Sequence, residues 1–412
     1  MIDWTKVAVI YNSQYANSQD VAEYYADARG INPAFVQGYD LGTGLIAGTT
    51  NAARDTFRNG PLTAIRDFCT ENSIEAVAVS ICCPRRYGYN PEYVLQQGEY
   101  DTKQYSAFCR AITDADRIVT LGGTRPAKPL LRIAYQILSF GGTKTTSCMR
   151  LTDVAGNLIF DWRGADLLES YRHILCGRLG HAAETLATDD VALAKRCIDD
   201  ALWYEINGDP TQSPIMFGMS TRIGGLSHGN VYAAYRSAIN TGLKNLLTYD
   251  GNFNNNPDSK WAADDWGYSE PTWTIPDTGV WFGGGGPIVD IWGCVGTGLE
   301  NNAGAVGNLP VNSVNIQRGA WVFESTSSNV SGVCIPHGLT AAVCPVQEPY
   351  GNGVPEISGL FHYLLMGFSI EEACVMSCEH TFSSSTEVWG DPFYTPFKRL
   401  KFGNAGQGMG VN

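Results

Sequence analysis

The run Ile74–Pro84, "IEAVAVSICCP", is apolar almost without interruption. It lacks the polar alternation of a strand with one wet face, so it reads as a strand buried on both sides, as in a parallel sheet covered by helices. The flanking chain supplies the covers. "GPLTAIRDFCTENS" before it is an amphipathic helix. At the N-terminus, Lys6 to Tyr11 is a short β-branched strand followed by a helix that Gly30 stops. Ser18 is its expected N-cap, Asp20 and Glu23 fall in the first turn, and Val21, Tyr24, Tyr25 and Ala28 share a face. "DADRIVTLGG" predicts a further strand, and "AKPLLRIAYQILSFGG" a helix or irregular apolar segment.

"GGTKTTS", from Gly141, marks a boundary. Beyond it "RLTDVAGNLIFDW" predicts a β-hairpin, "LCGRLG" a strand end and "PIMFGMS" another strand. "TDDVALAKRCIDDALWYE" predicts a strong helix capped by Thr188, with Leu193, Cys197, Ala201 and Tyr204 along one face. "NVYAAYRSAINTGL" predicts a further helix, and residues 248–286, rich in Asn, Asp, Trp and Gly, a long surface insertion. The last third returns to order. Strands are expected in "GPIVDIWGCVG", "RGAWVFESTSS" and "GLTAAVCPVQEP", then a helix in "EISGLFHYLLMG" ending at Gly367. Ser369 and Glu372 have capping-box spacing for the next helix. The expected fold is α/β, a mainly parallel sheet flanked by helices with loop-rich insertions. It divides into sub-domains at 1–147 and 148–412.

A chain of 412 residues holds two ordinary domains and a substantial core. Its formal charge of −13 supplies no basic stripe, which argues against nucleic-acid binding. No apolar run approaches the roughly 20 residues of a membrane span, and "MIDWTKVAVIYNS" is no signal peptide. The expectation is synthesis in the cytosol, or incorporation into a particle assembled there. Twelve cysteines are scattered through apolar runs, which reads as reduced, buried thiols.

One cluster stands out. "GVCIPHGLTAAVCP", residues 332–345, holds Cys334, His337 and Cys344 in a chain with six histidines. Cys334 and His337 would meet as a catalytic Cys–His pair if their loop turns; as a zinc site the cluster lacks a fourth ligand, and packing explains it better. "YDGNFNNNPDS" places Asp250, Asn252 and Asn254 at the alternate positions of a calcium loop, but Asn255 and Trp261 replace the turn glycine and the bidentate glutamate. An Asx-rich turn is the simpler reading. "WFGGGGP" and "GGTKTTS" lack the strand–loop–helix context of a phosphate cradle, so no cofactor is expected. Glu348 and Asp391, each before a proline, fit turn-holding, with a binding role in a cleft as the functional reading. Trp266 and Trp273, with Trp261 and Trp281, fit loop packing or a sugar-binding face. His228 is a remote-base candidate.

Several segments together resemble an uncharacterised bacterial protein family with gingipain- and caspase-like α/β architecture. They are "VAVIYNS…NSQDVAEYYADARGI", "AVSICCPRRYG", "DDVALAKRCIDDAL" and most of 319–397, above all "GLTAAVCPVQEPY", "LLMGFSIEEA" and "WGDPFYTPF". The resemblance implies a histidine after one strand and a cysteine after its neighbour. The loops in those places, after "VDIWGCVG" and "AWVFESTSS", offer Cys294 without a histidine and Ser325 to Ser328 without a cysteine, with Glu324 where a histidine would stand. Three functions follow as expectations. The first is a non-catalytic, peptidase-like scaffold for assembly or binding that self-associates or joins other proteins of a particle or virion. The second is a peptidase-like hydrolase using Ser327 or a relocated cysteine such as Cys294 or Cys334. The third is a carbohydrate- or metal-binding module.

Overall fold

The computed structural model describes residues 2–87, 106–112, 150–152, 158–161, 175–181, 183, 185–210, 215–219, 246–250, 289–297, 314–324, 335–336, 338–345, 357–377 and 386–400. The chain opens with strand β1 (Val7–Asn12) and helix α1 (Ala16–Arg29). Gly30 ends α1 in the left-handed conformation at φ 68°, a turn that costs a side-chain-bearing residue more. Ser18, the expected cap, lies inside the first turn of α1 instead, and the capping position falls to Tyr15. The Ser18 hydroxyl is buried and serves the neighbouring strand, as described below.

Strands β2 (Val36–Tyr39) and β3 (Ile46–Ala47) lead into α2 (Asn51–Phe57), capped by the Thr50 hydroxyl on the Ala53 amide. A π-helical turn at Arg58–Leu62 then passes into α3 (Thr63–Glu71). Pro61 sits in that turn and has no amide to offer a regular ladder, which fits the widened turn. The predicted amphipathic helix is therefore the second half of a longer helical segment. The apolar run that opened the sequence reading is β4 (Ala76–Val79).

Short strands β5 (Arg86–Tyr87) and β6 (Ser106–Ala107) pair, and α4 (Phe108–Ile112) follows. The predicted hairpin is present as β7 (Arg150–Thr152) and β8 (Leu158–Asp161), antiparallel. Next come β9 (Leu175–Arg178) and α5 (Val191–Asn207). The cap of α5 is Asp190, accepting from the Ala192 and Leu193 amides, and not Thr188, which belongs to a preceding 3-10 turn. The expected burial stripe holds for Cys197, Ala201 and Tyr204, while Ala194 takes the buried position in place of Leu193.

The first sheet has the order β2–β1–β4–β9, all parallel. It takes its fourth strand from beyond residue 147. Both faces are covered, as the unbroken apolar run predicts. Val7, Val9, Ala76 and Ala78 join Val21, Tyr25, Ala194 and Ile198 of α1 and α5 on one side. Ala8, Ile10, Val77 and Val79 join Leu62, Ile65 and Cys69 on the other. Successive side chains of β1 and β4 thus alternate between two dry cores.

The second sheet has β10 (Ile215–Met219), β11 (Leu246–Asp250), β12 (Val289–Thr297), β13 (Val314–Glu324), β14 (Ala341–Pro345) and β15 (Thr386–Gly390) in the order β11–β10–β12–β13–β14–β15. All neighbours are parallel except β14 and β15. Helices α6 (Ile357–Leu365) and α7 (Ile370–Ser377) separate the last two strands. Gly367 stops α6 at φ 88°, and the Ser369–Glu372 capping box forms as read. Residues 248–250, the start of the expected surface insertion, are the end of strand β11 instead; the rest of 248–286 lies outside the described residues, as do the helices expected in 127–142 and 230–243.

Both sheets start from a first strand flanked by its second and third. This arrangement places a topological switch point between β1 and β4 in the first sheet and between β10 and β12 in the second. The sheets touch where β9 ends and β15 ends: Gly180 and Gly390 exchange two backbone hydrogen bonds of 3.1 and 2.8 Å. Both glycines have positive φ, and a Cβ on Gly390 would stand 2.2 Å from the Thr340 carbonyl oxygen. Only glycine permits so close a joint.

Candidate functional site

Strands β12 and β13 are neighbours and parallel, so the loops singled out by the resemblance leave adjacent strand ends. Cys294 is not in its loop. It lies within β12, paired to Met216 on one side and Val322 on the other. Glu324 closes β13, opposite Gly296. Asp250 is the last residue of β11. Ser327, Cys334, His337, Glu348, Asn252, Asn254, Trp266, Trp273 and His228 lie outside the described residues. Cys344, from the stretch with two cysteines and a histidine, is fully buried in β14 between β13 and β15, so at this position sheet packing is what the structure places. Around the same stretch, Arg196 of α5 donates to the Ile335 and Leu339 carbonyls.

Asp391 is the one predicted site residue whose side chain is described, and it is fully buried. Its Oδ1 accepts from the Tyr25 hydroxyl at 3.1 Å and from the Phe393 amide at 3.1 Å, the turn-holding bond expected of an acidic residue before proline. Its Oδ2 accepts from Arg29 Nε at 3.2 Å and from Nη2. Arg29 Nη1 reaches Glu205 Oε2 at 2.9 Å, and Glu205 also accepts from the Thr395 amide and Lys398 Nζ. Burial pulls the Arg29 pKa down, but Asp391 and Glu205 raise it further, so it ends above its ordinary value. Burial pushes the Asp391 carboxyl up while Arg29 opposes that. Four donor hydrogens converge on the carboxylate, and each favours its charged form against the cost of burial.

A second hub crosses the same joint. Arg178, at the end of β9, donates to the Cys83 and Pro84 carbonyls at 3.1 and 2.6 Å and to Glu387 of β15 at 3.2 Å. Glu387 accepts the Cys109 amide on its other oxygen, at 3.0 Å. The guanidinium lies 4.9 Å from the Trp389 ring centre. Both ends of the ion pair are almost wholly enclosed.

A third set gathers at the carboxyl edge of the first sheet, around the segment after β4. Ser18 Oγ donates to the Ile81 carbonyl, and Asn12 Nδ2 donates to those of Cys82 and Gly42. Together with Arg178, these side chains turn four consecutive carbonyls, residues 81 to 84, into acceptors of internal bonds. Cys82 has a left-handed backbone at φ 58°, an uncommon state for a residue other than glycine. Its amide donates to Asp189 at 2.7 Å, and the same carboxylate accepts from Arg85 at 3.3 Å. His181, directly after the joint at Gly180, is 8% exposed, and its Nδ1 has no hydrogen-bond partner among the described residues.

Sequence reading missed this edge and both hubs. The visible signals were weak: a lone arginine inside the strand "LCGR", and the Cys-Cys-Pro-Arg run after β4. Which partners those residues meet depends on pairings between elements far apart in the chain, from 70 residues for Asn12 and Cys82 to 209 for Arg178 and Glu387.

The chemistry of the edge is that of packed thiols. Burial pushes Cys82 up to about 12, aided by Asp189, and Cys83 to about 12 against the pull of Arg178. Burial does the same to Cys197, and Cys109 rises well above the ordinary thiol value through burial and a hydrogen bond with Cys176. A protonated thiol is neither a nucleophile nor a metal ligand. Among the described residues, no three acidic, histidine or cysteine side chains sit together to hold a metal, and no helix is long and apolar enough to cross a membrane. No protein family, curated protein or solved structure matches the chain.

Proposed function

We propose that this chain is a non-catalytic, peptidase-like scaffold of the two-sub-domain gingipain or caspase kind, working by binding or by assembly with itself or other proteins of a larger particle. The observation that carries this reading is the fate of the polar groups at the two sheets' junction. Arg29, Asp391, Glu205, Arg178, Glu387 and Asp189 are all spent on internal bonds. Such a junction makes one stiff body from two sheets, the property an assembly component needs. The excess of negative charge keeps nucleic acid off the list of partners.

A hydrolase with a relocated cysteine is the second reading, favoured by the left-handed backbone of Cys82 and by His181 one strand over. Unusual backbone at a strand end is often part of a mechanism. The raised Cys82 pKa stands against it.

One experiment separates the two. Native-state thiol labelling at limiting reagent, read cysteine by cysteine by mass spectrometry across pH 5 to 9, is run beside light scattering over a concentration series. The scaffold reading expects slow labelling at Cys82, Cys83, Cys109 and Cys197, together with a mass above the monomer. A single thiol reacting far faster than the others, in a chain that stays monomeric, would sink it in favour of the hydrolase.

A further inference from the structure

A buried imidazole nitrogen without a partner is rare enough to need a reason. His181 is such a group, and its position is specific. The preceding residue, Gly180, spends both its amide and its carbonyl on Gly390, and this exchange locks the end of β9 to the end of β15. A Cβ on Gly180 would meet the Ile81 side chain at 2.7 Å, and one on Gly177 would meet Pro392 at 2.3 Å, so the joint has no slack. The backbone at Gly180, φ 76°, is the left-handed kind that hinges tolerate.

Charged neighbours approach His181 from each packed element. Arg85 comes from the segment after β4, Asp189 and Asp190 from the turn before α5, and Arg196 from α5 itself. Asp189 is occupied by the Cys82 amide and Arg85, and Asp190 by the two amides it caps. Across the joint, Asp391 is held by Arg29 and Tyr25. Among the described residues, Asp189, Asp190 and Asp391 are thus each already engaged by other donors.

We propose that His181 is an acid-operated release for the joint between the two sheets: neutral, it lets Gly180 lock to Gly390; protonated, it draws residue 181 toward water and frees that lock. This goes beyond the scaffold reading and does not depend on it, since the joint exists whatever the protein binds. Burial lowers the His181 pKa below its ordinary 6.5. The sign follows from linkage. A base with a depressed folded-state pKa leaves the closed state fully favoured above 6.5. That preference declines as pH falls from 6.5 toward the folded value, because the open state binds the extra proton.

The test is amide hydrogen exchange of the full chain at pH 7 and pH 5, corrected for the chemical exchange rate. Peptides covering 175–190 and 386–391 are expected to lose about tenfold or more of their protection at pH 5, while those of β1 and β4 hold theirs. In His181→Gln, neutral at both pH values, the step disappears. Persistence of the step in that variant would assign it to the buried carboxylates and overturn the proposal, as would a flat response in the wild type. His181→Phe serves if His181→Gln does not fold. NMR titration of the labelled histidine rings gives an independent reading. A His181 pKa below 6.5 is expected, and one at or above it overturns the mechanism.

Discussion

Replacing Arg178 with methionine removes one charge and leaves four groups without their donor or cover. The side chain is 2% exposed and Glu387 0%, so water does not take over the lost bonds. Among the described residues Glu387 keeps only the Cys109 amide, the Cys83 and Pro84 carbonyls lose the Arg178 donor, and the Trp389 face loses the guanidinium stacked on it. Removing one partner of a buried ion pair costs about 3–5 kcal/mol, and each buried carbonyl left unsatisfied costs about 1–3 kcal/mol, terms that overlap rather than add. Taking the ion-pair figure as the floor, Arg178→Met should destabilise the fold by about 3–5 kcal/mol, a large part of a typical stability of 5–15 kcal/mol. Equilibrium urea unfolding followed by tryptophan fluorescence reads this as a lowered midpoint. The companion Arg178→Met/Glu387→Leu double variant removes the stranded carboxylate and should recover about 1–3 kcal/mol of the loss. A single variant that loses less than about 1 kcal/mol would refute the argument that this pair welds the sheets. So would a double variant no more stable than the single.

Two further outcomes follow from backbone geometry and capping. Gly390→Ala combines positive φ with a Cβ 2.2 Å from the Thr340 oxygen, whereas Gly30→Ala meets nothing within 4 Å. The second should cost about 1–2 kcal/mol of strain alone and the first well beyond that, compared by thermal midpoint and by yield of folded protein. Asp190→Ala should cost about 1 kcal/mol by removing the cap of α5, while Thr188→Ala should cost less, a ranking read from urea midpoints.

How much of this was legible follows from where each signal resides. The burial of β1 and β4 on both faces is written locally, in runs of small and branched apolar residues, and so was readable. Helix stops at Gly30 and Gly367 were readable for the same reason. Caps were less so, because a polar residue near a helix start has several competing uses: Ser18 serves the Ile81 carbonyl instead of its own helix, and Asp190, two residues on, takes the cap expected of Thr188. The hubs were not legible at all. Nothing near Arg29 in the sequence announces Asp391, nor does anything near Arg178 announce Glu387, because topology alone brings them together. "LCGRLG" reads only as a strand end, yet the charge of Arg178 within it is what Glu387 of β15 requires.

The joint at Gly180 and Gly390 also sets an order of events during synthesis. Arg178 and Glu387 are 209 residues apart, and Arg29 and Asp391 are 362 apart. When the first sheet has emerged from the ribosome, Arg178 and Gly180 at the end of β9 lack their partners Glu387 and Gly390, and both wait until β15 is made. Until then the nascent chain carries an unlocked strand end and an arginine without its ion-pair partner, marks of the incompletely packed species that chaperones serve. Contacts of such long sequence separation also form slowly. The last of the described strands to leave the ribosome is therefore the one that locks the end of the first sheet.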